Sequence, residues 1–133
     1  MGAAVDSVIE KGDIMKIAVT STGTDLDSQV DPRFGRAAYI LIIDSDTFDF
    51  EVLDNKENVN AFKGAGIQAA STVSSKGAEV LLTGFCGPNA FKALNTAKIG
   101  VANDAKGTVR EAVQAYLDGK LPLADEANIE GHW

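Results

Sequence analysis

Two apolar segments near the start of the chain predict buried β-strands. Residues 15–21 combine Ile, Val and Ala with β-branched and small polar residues, which is typical of a half-buried or central strand. Residues 38–44 are almost continuously apolar, as expected for a strand that is covered on both faces. The stretch between them, residues 22–37, is polar and contains Gly and Pro, so it predicts a long loop.

A third strand is predicted from alternation. In residues 47–53 the apolar side chains Phe48, Phe50 and Val52 alternate with acidic ones, so we expect one covered apolar face and one wet acidic face. The turn at residues 44–47 is short, and the second and third strands are therefore predicted to form an antiparallel hairpin.

From residue 66 onwards helices and strands are predicted to alternate. The helices begin near Gly66, at Pro88 and after the Thr108–Glu111 capping box, and short apolar strands occupy residues 79–83 and 99–102. The order β-β-β-α-β-α-β-α implies right-handed crossovers between parallel strands in the second half. We therefore expect an α/β fold in which a mixed five-stranded sheet, with one antiparallel hairpin strand, carries helices on both faces.

Three of the predicted loops are expected to form the functional site. In open α/β sheets, ligands bind outside the carboxyl ends of the parallel strands. The loops that follow the first, fourth and fifth predicted strands are residues 22–37, 84–87 and 103–107. Each of them is rich in glycine or in polar residues.

The first loop carries the sequence Arg33-Phe34-Gly35-Arg36. Two guanidinium groups beside an aromatic ring suit a compact anion, because each guanidinium donates hydrogen bonds in a fixed fork. The alternative is structural, with both arginines forming salt bridges to acidic residues of the same loop. Those acidic residues are Asp25, Asp27 and Asp31.

The second loop leads into a helix and contains Gly84, Phe85, Cys86, Gly87, Pro88 and Asn89. Glycines let backbone amides approach a ligand, and the helix N-terminus adds positive potential. That potential is expected to lower the pKa of the Cys86 thiol and to make it a metal ligand. The alternative is that Cys86 is a small buried apolar residue.

Gly64 and Gly66 open another helix and predict a further cluster of anion-binding amides.

Composition and charge limit the range of functions. The chain has 133 residues, with 12 Lys and Arg against 19 Asp and Glu, and its net charge of −7 argues against nucleic acid or an anionic membrane surface as a partner. One Cys and one His exclude an intrachain disulfide and a Cys₄ zinc or iron–sulfur site. His132 lies near the end of the chain, and together with Cys86 it is a candidate ligand for a soft metal.

The chain is expected to form a single domain over residues 15–119. Residues 1–14 are predicted to be an N-terminal extension or leader, and residues 120–133 a polar C-terminal tail. We find neither a secretory signal nor an apolar run long enough to span a membrane, so the expected location is the cytoplasm.

Two other classes of function stay open at this point. A metal-dependent nuclease would need a two-metal carboxylate site, for which there are enough acidic residues. They are Asp25, Asp27, Asp31, Asp44, Asp46 and Glu51. An interaction module without a ligand would pair with its partner through the exposed edge strand of the hairpin.

Three motifs, in order along the chain, carry a resemblance to a known family. They are Arg33-Phe34-Gly35-Arg36-Ala37, Gly64-Ala65-Gly66-Ile67-Gln68-Ala69-Ala70 and Gly87-Pro88-Asn89-Ala90-Phe91-x-x-Leu94. Over residues 15–120 the chain resembles the dinitrogenase iron–molybdenum cofactor biosynthesis family, which includes NifX, the C-terminal part of NifB, and NafY. It is most similar in type to the stand-alone orange protein of sulfate-reducing bacteria, which holds a molybdenum–copper sulfide cluster without covalent bonds.

The resemblance implies a ribonuclease-H-like three-layer fold and a non-enzymatic function, the binding of a preformed metal–sulfur cluster. A Mo–Cu sulfide cluster is the favoured cargo and an iron–molybdenum cofactor precursor for nitrogenase the alternative. A protein donor or acceptor of the cluster is also implied, and we expect a monomer or weak homodimer. Phe85-Cys86 departs from the family pattern, so metal ligation by Cys86 is not inherited from the family. The residues expected to bind the cluster are Arg33, Phe34, Gly35, Arg36, Gly64, Gly66, Gly87, Pro88 and Asn89.

Overall fold

The order of elements in the protein is the predicted one. The computed structural model describes residues 15–55 and 65–124. The strands are β1 (Lys16–Ser21), β2 (Tyr39–Asp44), β3 (Phe50–Asp54), β4 (Val80–Leu82) and β5 (Gly100–Ala102). The helices are α1 (Ala65–Ser75), α2 (Pro88–Thr96) and α3 (Val109–Leu117). The predicted extension 1–14, Gly64 and His132 lie outside the described residues.

The described strands form one mixed sheet in the order β3-β2-β1-β4-β5. β2 is antiparallel to both of its neighbours, whereas β1, β4 and β5 are mutually parallel. The register places Val19 beside Leu82 and Leu82 beside Ala102, so these three strands end at one edge of the sheet. The mixed five-stranded sheet predicted from the sequence is confirmed.

Helices cover both faces of the sheet, as predicted. Alternate residues of β1 enter different cores, because successive side chains of a strand point to opposite faces. Ala18 packs in the core that holds the buried side chains of α1 and α2. Ile17 and Val19 pack in the other core, with the buried residues of α3. Both cores consist mainly of aliphatic and small side chains, and the core under α1 and α2 also contains Phe34 and Phe91. The helices are fixed to the sheet by this apolar burial.

The third strand departs from the prediction. Phe50 and Val52, expected on the covered face, are 39% and 36% exposed. They pair with Ile43 and Leu41, on the face of the sheet that α3 covers. α3 packs over β1, two strands away, and the apolar row on the edge strand is left at the surface. On the other face Leu53 packs against the core of α1 and α2.

The predicted helix signals are present at α2 and α3. Pro88 occupies the first turn of α2. Thr108 and Glu111 form the capping box of α3, with the Glu111 amide donating to Thr108 Oγ1 over 3.1 Å and the Thr108 amide donating to Glu111 Oε1 over 2.9 Å. None of the helices in the described ranges is long and apolar enough to cross a bilayer.

Candidate functional site

The three loops that follow β1, β4 and β5 form one continuous surface. We call this surface, made of residues 22–38, 83–87 and 103–108, the loop edge. The Phe85 amide donates to the carbonyl of Pro32 over 2.8 Å, and the Asp104 amide donates to the carbonyl of Gly84 over 2.8 Å. The middle loop is therefore bonded to the other two, and the predicted convergence of the three loops is confirmed.

Two buried threonines fix the base of the loop edge. The Thr20 hydroxyl donates to the carbonyl of Asp31 over 2.6 Å and lies 3.0 Å from the Thr83 hydroxyl. Both threonines are fully buried, and the Asp31 amide donates back to the carbonyl of Thr20 over 3.0 Å. Buried polar groups need such partners. These bonds therefore hold the backbone at Asp31, just before Arg33, in the loop after β1, which we call the arginine loop.

Arg33 is held at its backbone and exposed at its side chain. Its amide donates to Asp31 Oδ1 over 3.0 Å, and its Nε lies 3.7 Å from the same oxygen. The salt bridge considered as the alternative role of Arg33 is thus present. The contact is long and the Arg33 side chain is 57% exposed, so its guanidinium faces solvent at the loop edge. Arg36, on the far side of Phe34-Gly35, is half-buried.

Gly84 is required by the close approach of two loops. A Cβ atom at residue 84 would lie 2.6 Å from both Cα and O of Pro32. Residues Arg33 and Phe85 form a parallel bridge beside this contact, and the Phe34 amide donates to the carbonyl of Phe85 over 3.3 Å. Because Gly84 has no side chain, the arginine loop can lie directly against the loop after β4.

A stack of small residues joins the three sequence motifs. Gly35 has φ +88°, and a Cβ atom there would lie 2.9 Å from Cα of Gly66 in the first turn of α1. A Cβ atom at Gly66 would in turn lie 2.8 Å from Cβ of Ala90 in the first turn of α2. The structure thus brings Gly35, in the loop after β1, against the N-terminus of α1, which in turn lies against the N-terminus of α2. Gly64 lies outside the described residues.

The two helix N-termini carry no competing carboxylates. Neither α1 nor α2 has an acidic residue in its first turn. Gly87 is the N-cap of α2 and supplies no side-chain hydrogen bond, Pro88 follows it, and Asn89 is exposed. Helix N-termini have unpaired amides and positive potential. The arrangement therefore favours an anion near the contact between the arginine loop and α1, beside the N-terminus of α2.

Cys86 is buried, and the expected lowering of its pKa is wrong. Its side chain is fully buried in the core that also contains Phe34 and Phe91. Burial raises the pKa of the Cys86 thiol to about 12, because removal from water disfavours the thiolate. Burial outweighs the nearby helix N-terminus, and this environment opposes metal ligation by Cys86. Phe34 also packs in this core, and its burial holds the arginine loop against the rest of the protein.

Asn55 is a supporting residue that the sequence analysis missed. Its side-chain amide donates to the carbonyl of Ala37 over 2.8 Å and to that of Gly35 over 3.4 Å. Its backbone amide donates to the carbonyl of Ala38 over 2.9 Å, and the residue is buried. The signal in the sequence was a polar residue directly after a predicted edge strand. The carbonyls that it bonds to lie just before β2, in the other arm of the hairpin, and the local sequence does not show this contact.

Asn103, at the start of the loop after β5, was also missed. Its Oδ1 atom is buried and has no hydrogen-bond partner among the described residues. The neighbouring amides of Asp104 and Ala105 donate to Gly84 and Thr83. Asn103 therefore has an unused buried acceptor directly before the two residues whose amides bond to the middle loop.

The acidic residues do not assemble a metal site in the part of the chain that the structure describes. No group of three or more His, Cys, Asp and Glu side chains there is placed to hold a metal ion. Asp27 pairs with Arg110 at 3.3 Å. Asp44 lies at the opposite end of the sheet, where the amides of Thr47 and Asp46 donate to its carboxylate and lower its pKa. A two-metal nuclease site therefore has no support from these residues.

Comparison with known proteins identifies similar sequences and structures over most of the chain. The sequence profile described as "Dinitrogenase iron-molybdenum cofactor" matches residues 15–119. The apo form of the orange protein from Desulfovibrio gigas is 48% identical, covers 86% of this chain and 97% of its own, and has a TM-score of 0.84. A Thermotoga protein assigned as NifB is 35% identical, with 88% and 99% coverage and a TM-score of 0.76.

More distant structures share the fold. A protein of Methanocaldococcus jannaschii assigned as a dinitrogenase is 16% identical, covers 85% of this chain and 97% of its own, and has a TM-score of 0.64. At this identity the similarity concerns the fold alone. No curated protein sequence matches the chain at a significant level.

Proposed function

Because the chain belongs to the dinitrogenase iron–molybdenum cofactor family, we propose that it binds and carries a preformed, molybdenum-containing metal–sulfur cluster at the loop edge. The cluster is cargo, taken from one protein and given to another, and no reaction on it is required of the chain. The match over residues 15–119 and the 48% identity to the orange protein support a carrier or cofactor-binding role.

The observation that carries this proposal is the packing of the arginine loop on the N-terminus of α1, which itself lies against the N-terminus of α2. Gly35 lies against Gly66 of α1, and Gly66 lies against Ala90 of α2. Arg33 and Arg36 flank this contact in sequence, so cationic side chains and helix amides belong to one small region. A sulfide-bridged cluster is a compact polyanion that accepts hydrogen bonds, and this set of donors fits it.

The cargo is proposed to be held without protein thiolates. Cys86 is buried with a raised pKa, so its sulfur is not offered as an anionic ligand. A cluster whose metals are already coordinated by its own sulfides needs only charge, hydrogen bonds and shape from the protein. This requirement favours a Mo–Cu sulfide cluster over one that needs cysteine ligation.

A nitrogenase iron–molybdenum cofactor precursor is the second candidate cargo. It is favoured by the description of the matching family and by the Thermotoga relative assigned as NifB. The two cargoes differ in iron and copper content, so metal analysis of the loaded protein distinguishes them. In either case the proposal includes a donor or acceptor protein and a cytoplasmic place of action.

The test is anaerobic reconstitution followed by metal analysis. Purified protein is mixed with tetrathiomolybdate and Cu(I), desalted, and examined for visible absorbance and for the Mo, Cu and Fe content of the protein peak. The double variant Arg33→Ala/Arg36→Ala is loaded in parallel. The matched control is Lys16→Ala/Lys120→Ala, which removes the same charge. Lys16 begins β1 at the end away from the loop edge, and Lys120 follows the C-terminus of α3, a helix that begins at the loop edge.

Retained molybdenum with structured visible bands is expected for the parent protein and for the lysine control. The arginine variant should retain much less, by about tenfold or more, since each lost charge-assisted hydrogen bond contributes roughly 1.5–3 kcal/mol. Equal retention by the arginine variant would overturn the proposed anion site. A metal-free protein peak would exclude the Mo–Cu cargo, and loading with an iron–molybdenum precursor would then be tested.

The fold is proposed to be ribonuclease-H-like. The strand order β3-β2-β1-β4-β5, with β2 antiparallel to its neighbours, supports this assignment, as do helices on both faces. The assignment concerns architecture only, since a shared fold does not imply a shared reaction.

A further inference from the structure

A row of polar side chains crosses the carboxyl ends of the three parallel strands. The register of β1, β4 and β5 continues to the next residue of each strand, and the row consists of Thr20, Thr83 and Asn103. The Thr20 and Thr83 hydroxyls lie 3.0 Å apart, as neighbours on one face of a sheet do. The residues two positions earlier pack in the core under α1 and α2, and they are Ala18, Leu81 and Val101. Because alternate residues of a strand share a face, the row belongs to the face that carries these two helices.

Asn103 differs from the two threonines of this row because its buried oxygen has no bond. The Thr20 hydroxyl is bonded to the carbonyl of Asp31 and contacts the Thr83 hydroxyl. Asn103 Oδ1 is buried and has no hydrogen-bond partner in the part of the chain that the structure describes. A buried acceptor without a donor costs free energy. The carboxamide of Asn103 therefore does not stabilise the fold through this oxygen, and its presence calls for another reason.

The backbone on both sides of Asn103 is held firmly. The carbonyl of Ala102 accepts from the Thr83 amide over 3.1 Å, and the Asp104 amide donates to the carbonyl of Gly84 over 2.8 Å. Asp104 has φ +64°, a left-handed conformation that is uncommon outside glycine. Such conformations cluster at ligand sites, where the surrounding bonds hold them in place. The side chain of Asn103 therefore extends from a fixed position in the loop edge.

The polar row lies on the side of the loop edge where an anion is favoured. α2 packs against β5, the strand that leads into Asn103. This helix begins with Pro88, directly after the middle loop of the loop edge, and its N-cap Gly87 provides no side-chain hydrogen bond. The first turns of α1 and α2 contain no acidic residue. The helix N-termini and Asn103 are therefore on the same face of the sheet and at the same ends of its parallel strands.

We propose that Asn103 is a further cargo-binding residue, whose side-chain amide donates a hydrogen bond to the anionic cargo at the loop edge. This inference rests on the carrier function proposed above. A carboxamide has an N–H₂ donor at one end and an oxygen acceptor at the other, and rotation about χ2 exchanges them. The sulfides of the cargo accept hydrogen bonds and have none to donate, so they select the nitrogen. Asn103 thus adds a donor from the loop after β5 to those of the arginine loop and the helices.

The first test is urea unfolding of the full chain without added metal. Asn103→Leu replaces the carboxamide by an apolar side chain of nearly the same shape, so it removes the unpaired acceptor without breaking a bond to Oδ1. The urea midpoint of this variant should equal or exceed that of the parent protein. The matched control is Asn95→Leu, because Asn95 is exposed in the last turn of α2, away from the loop edge. A clearly lower midpoint for Asn103→Leu than for the control would assign a structural role to the carboxamide and overturn the proposal.

The second test is anaerobic titration of the full chain with tetrathiomolybdate and Cu(I). Asn103→Leu should raise the dissociation constant by about tenfold or more, because a donor to an anion is lost. Asn103→Asp keeps the shape of the side chain but replaces the donor by a carboxylate, so it should weaken binding at least as much. Asn95→Leu should bind as the parent does. If Asn103→Asp binds as tightly as the parent, the side chain is not a donor to the cargo and the proposal fails.

The outcomes separate this inference from the carrier function. If Arg33→Ala/Arg36→Ala loses the cargo while Asn103→Leu loads like the parent, the carrier function stands and the role of Asn103 is refuted. A parent protein that takes up neither a Mo–Cu cluster nor an iron–molybdenum precursor would refute both. NMR gives an independent readout, since the side-chain N–H₂ signals of Asn103 are identified by their loss in Asn103→Leu. They should shift when the parent is loaded, and unchanged signals would also contradict the proposal.

Discussion

Replacing Gly35 by alanine is expected to destabilise the protein through two separate effects. Gly35 has φ +88°, in the left-handed region that alanine adopts only at a cost. A Cβ atom there would also lie 2.9 Å from Cα and 3.0 Å from N of Gly66. Both atoms belong to helix backbone, so they cannot move aside as a flexible side chain would.

The magnitudes follow from these two observations. A left-handed conformation costs an alanine roughly 1–2 kcal/mol. Forcing an extra methyl group into a closely packed site typically costs a further 1–3 kcal/mol, about the same range as in overpacked cores. The free energy of unfolding of Gly35→Ala should therefore fall by about 2–5 kcal/mol, the sum of the two costs.

Gly77→Ala separates the two effects. Gly77 has φ +79°, and a Cβ atom at that position would meet nothing within 4 Å. This variant should lose only the roughly 1–2 kcal/mol of the conformational effect. Both variants gain the same amount from a less flexible unfolded chain, so their difference measures the contact between the arginine loop and α1.

The assay is urea unfolding followed by far-UV circular dichroism, with cluster retention measured on the same preparations. Gly35→Ala should be less stable than Gly77→Ala by about 1–3 kcal/mol and should retain less cluster, because its loop is displaced from α1. If the two variants have equal free energies of unfolding, the packing of Gly35 on Gly66 does not hold the loop. The site as described here would then lack its central contact.

Four further results are expected. Asn55→Ala should lower the free energy of unfolding by about 1–3 kcal/mol in the same urea assay, because the carbonyls of Gly35 and Ala37 lose their donor. The Cys86 thiol should react with a disulfide reagent far more slowly in the native than in the unfolded protein. Stability should also fall as pH rises from 9.0 towards about 12, since the unfolded thiol ionises first. The pKa of the Asp44 carboxyl, measured by NMR titration, should lie below 3.8, so its contribution to stability is present above 3.8 and is lost as pH falls through the lowered value.

The position of the candidate site follows from the order of elements. Once β1, β4 and β5 are assigned as parallel strands, their carboxyl ends must share one edge, and the loops at 22–37 and 84–87 must meet there. No side-chain coordinates are needed for that step. The glycine motifs indicated close backbone approach, and Gly35 and Gly66 are found in such a contact.

The side-chain environments could not be predicted in the same way, because they depend on what covers each surface. Cys86 follows a strand and precedes a helix, and its local sequence does not show that the core closes over it. Phe50 and Val52 have the alternation of a half-covered strand, yet α3 lies over β1 and does not reach them. Asn55 bonds to carbonyls about twenty residues earlier in the chain. Each case depends on tertiary packing that the local sequence pattern does not specify.

The negative net charge of the chain is compatible with the anionic cargo that we propose. Charges more than about 8 Å apart are largely screened at physiological ionic strength, so the −7 of the whole chain acts weakly at any one site. Nearby charges matter more, and the acidic residues of the arginine loop already have partners. Asp31 accepts from the Arg33 amide, Asp25 accepts from the Asp27 amide, and the Asp27 carboxylate pairs with Arg110. Those carboxylates shape the loop, while the first turns of both neighbouring helices contain no acidic residue. The local arrangement of donors, which the net charge does not reveal, therefore decides whether an anion is bound.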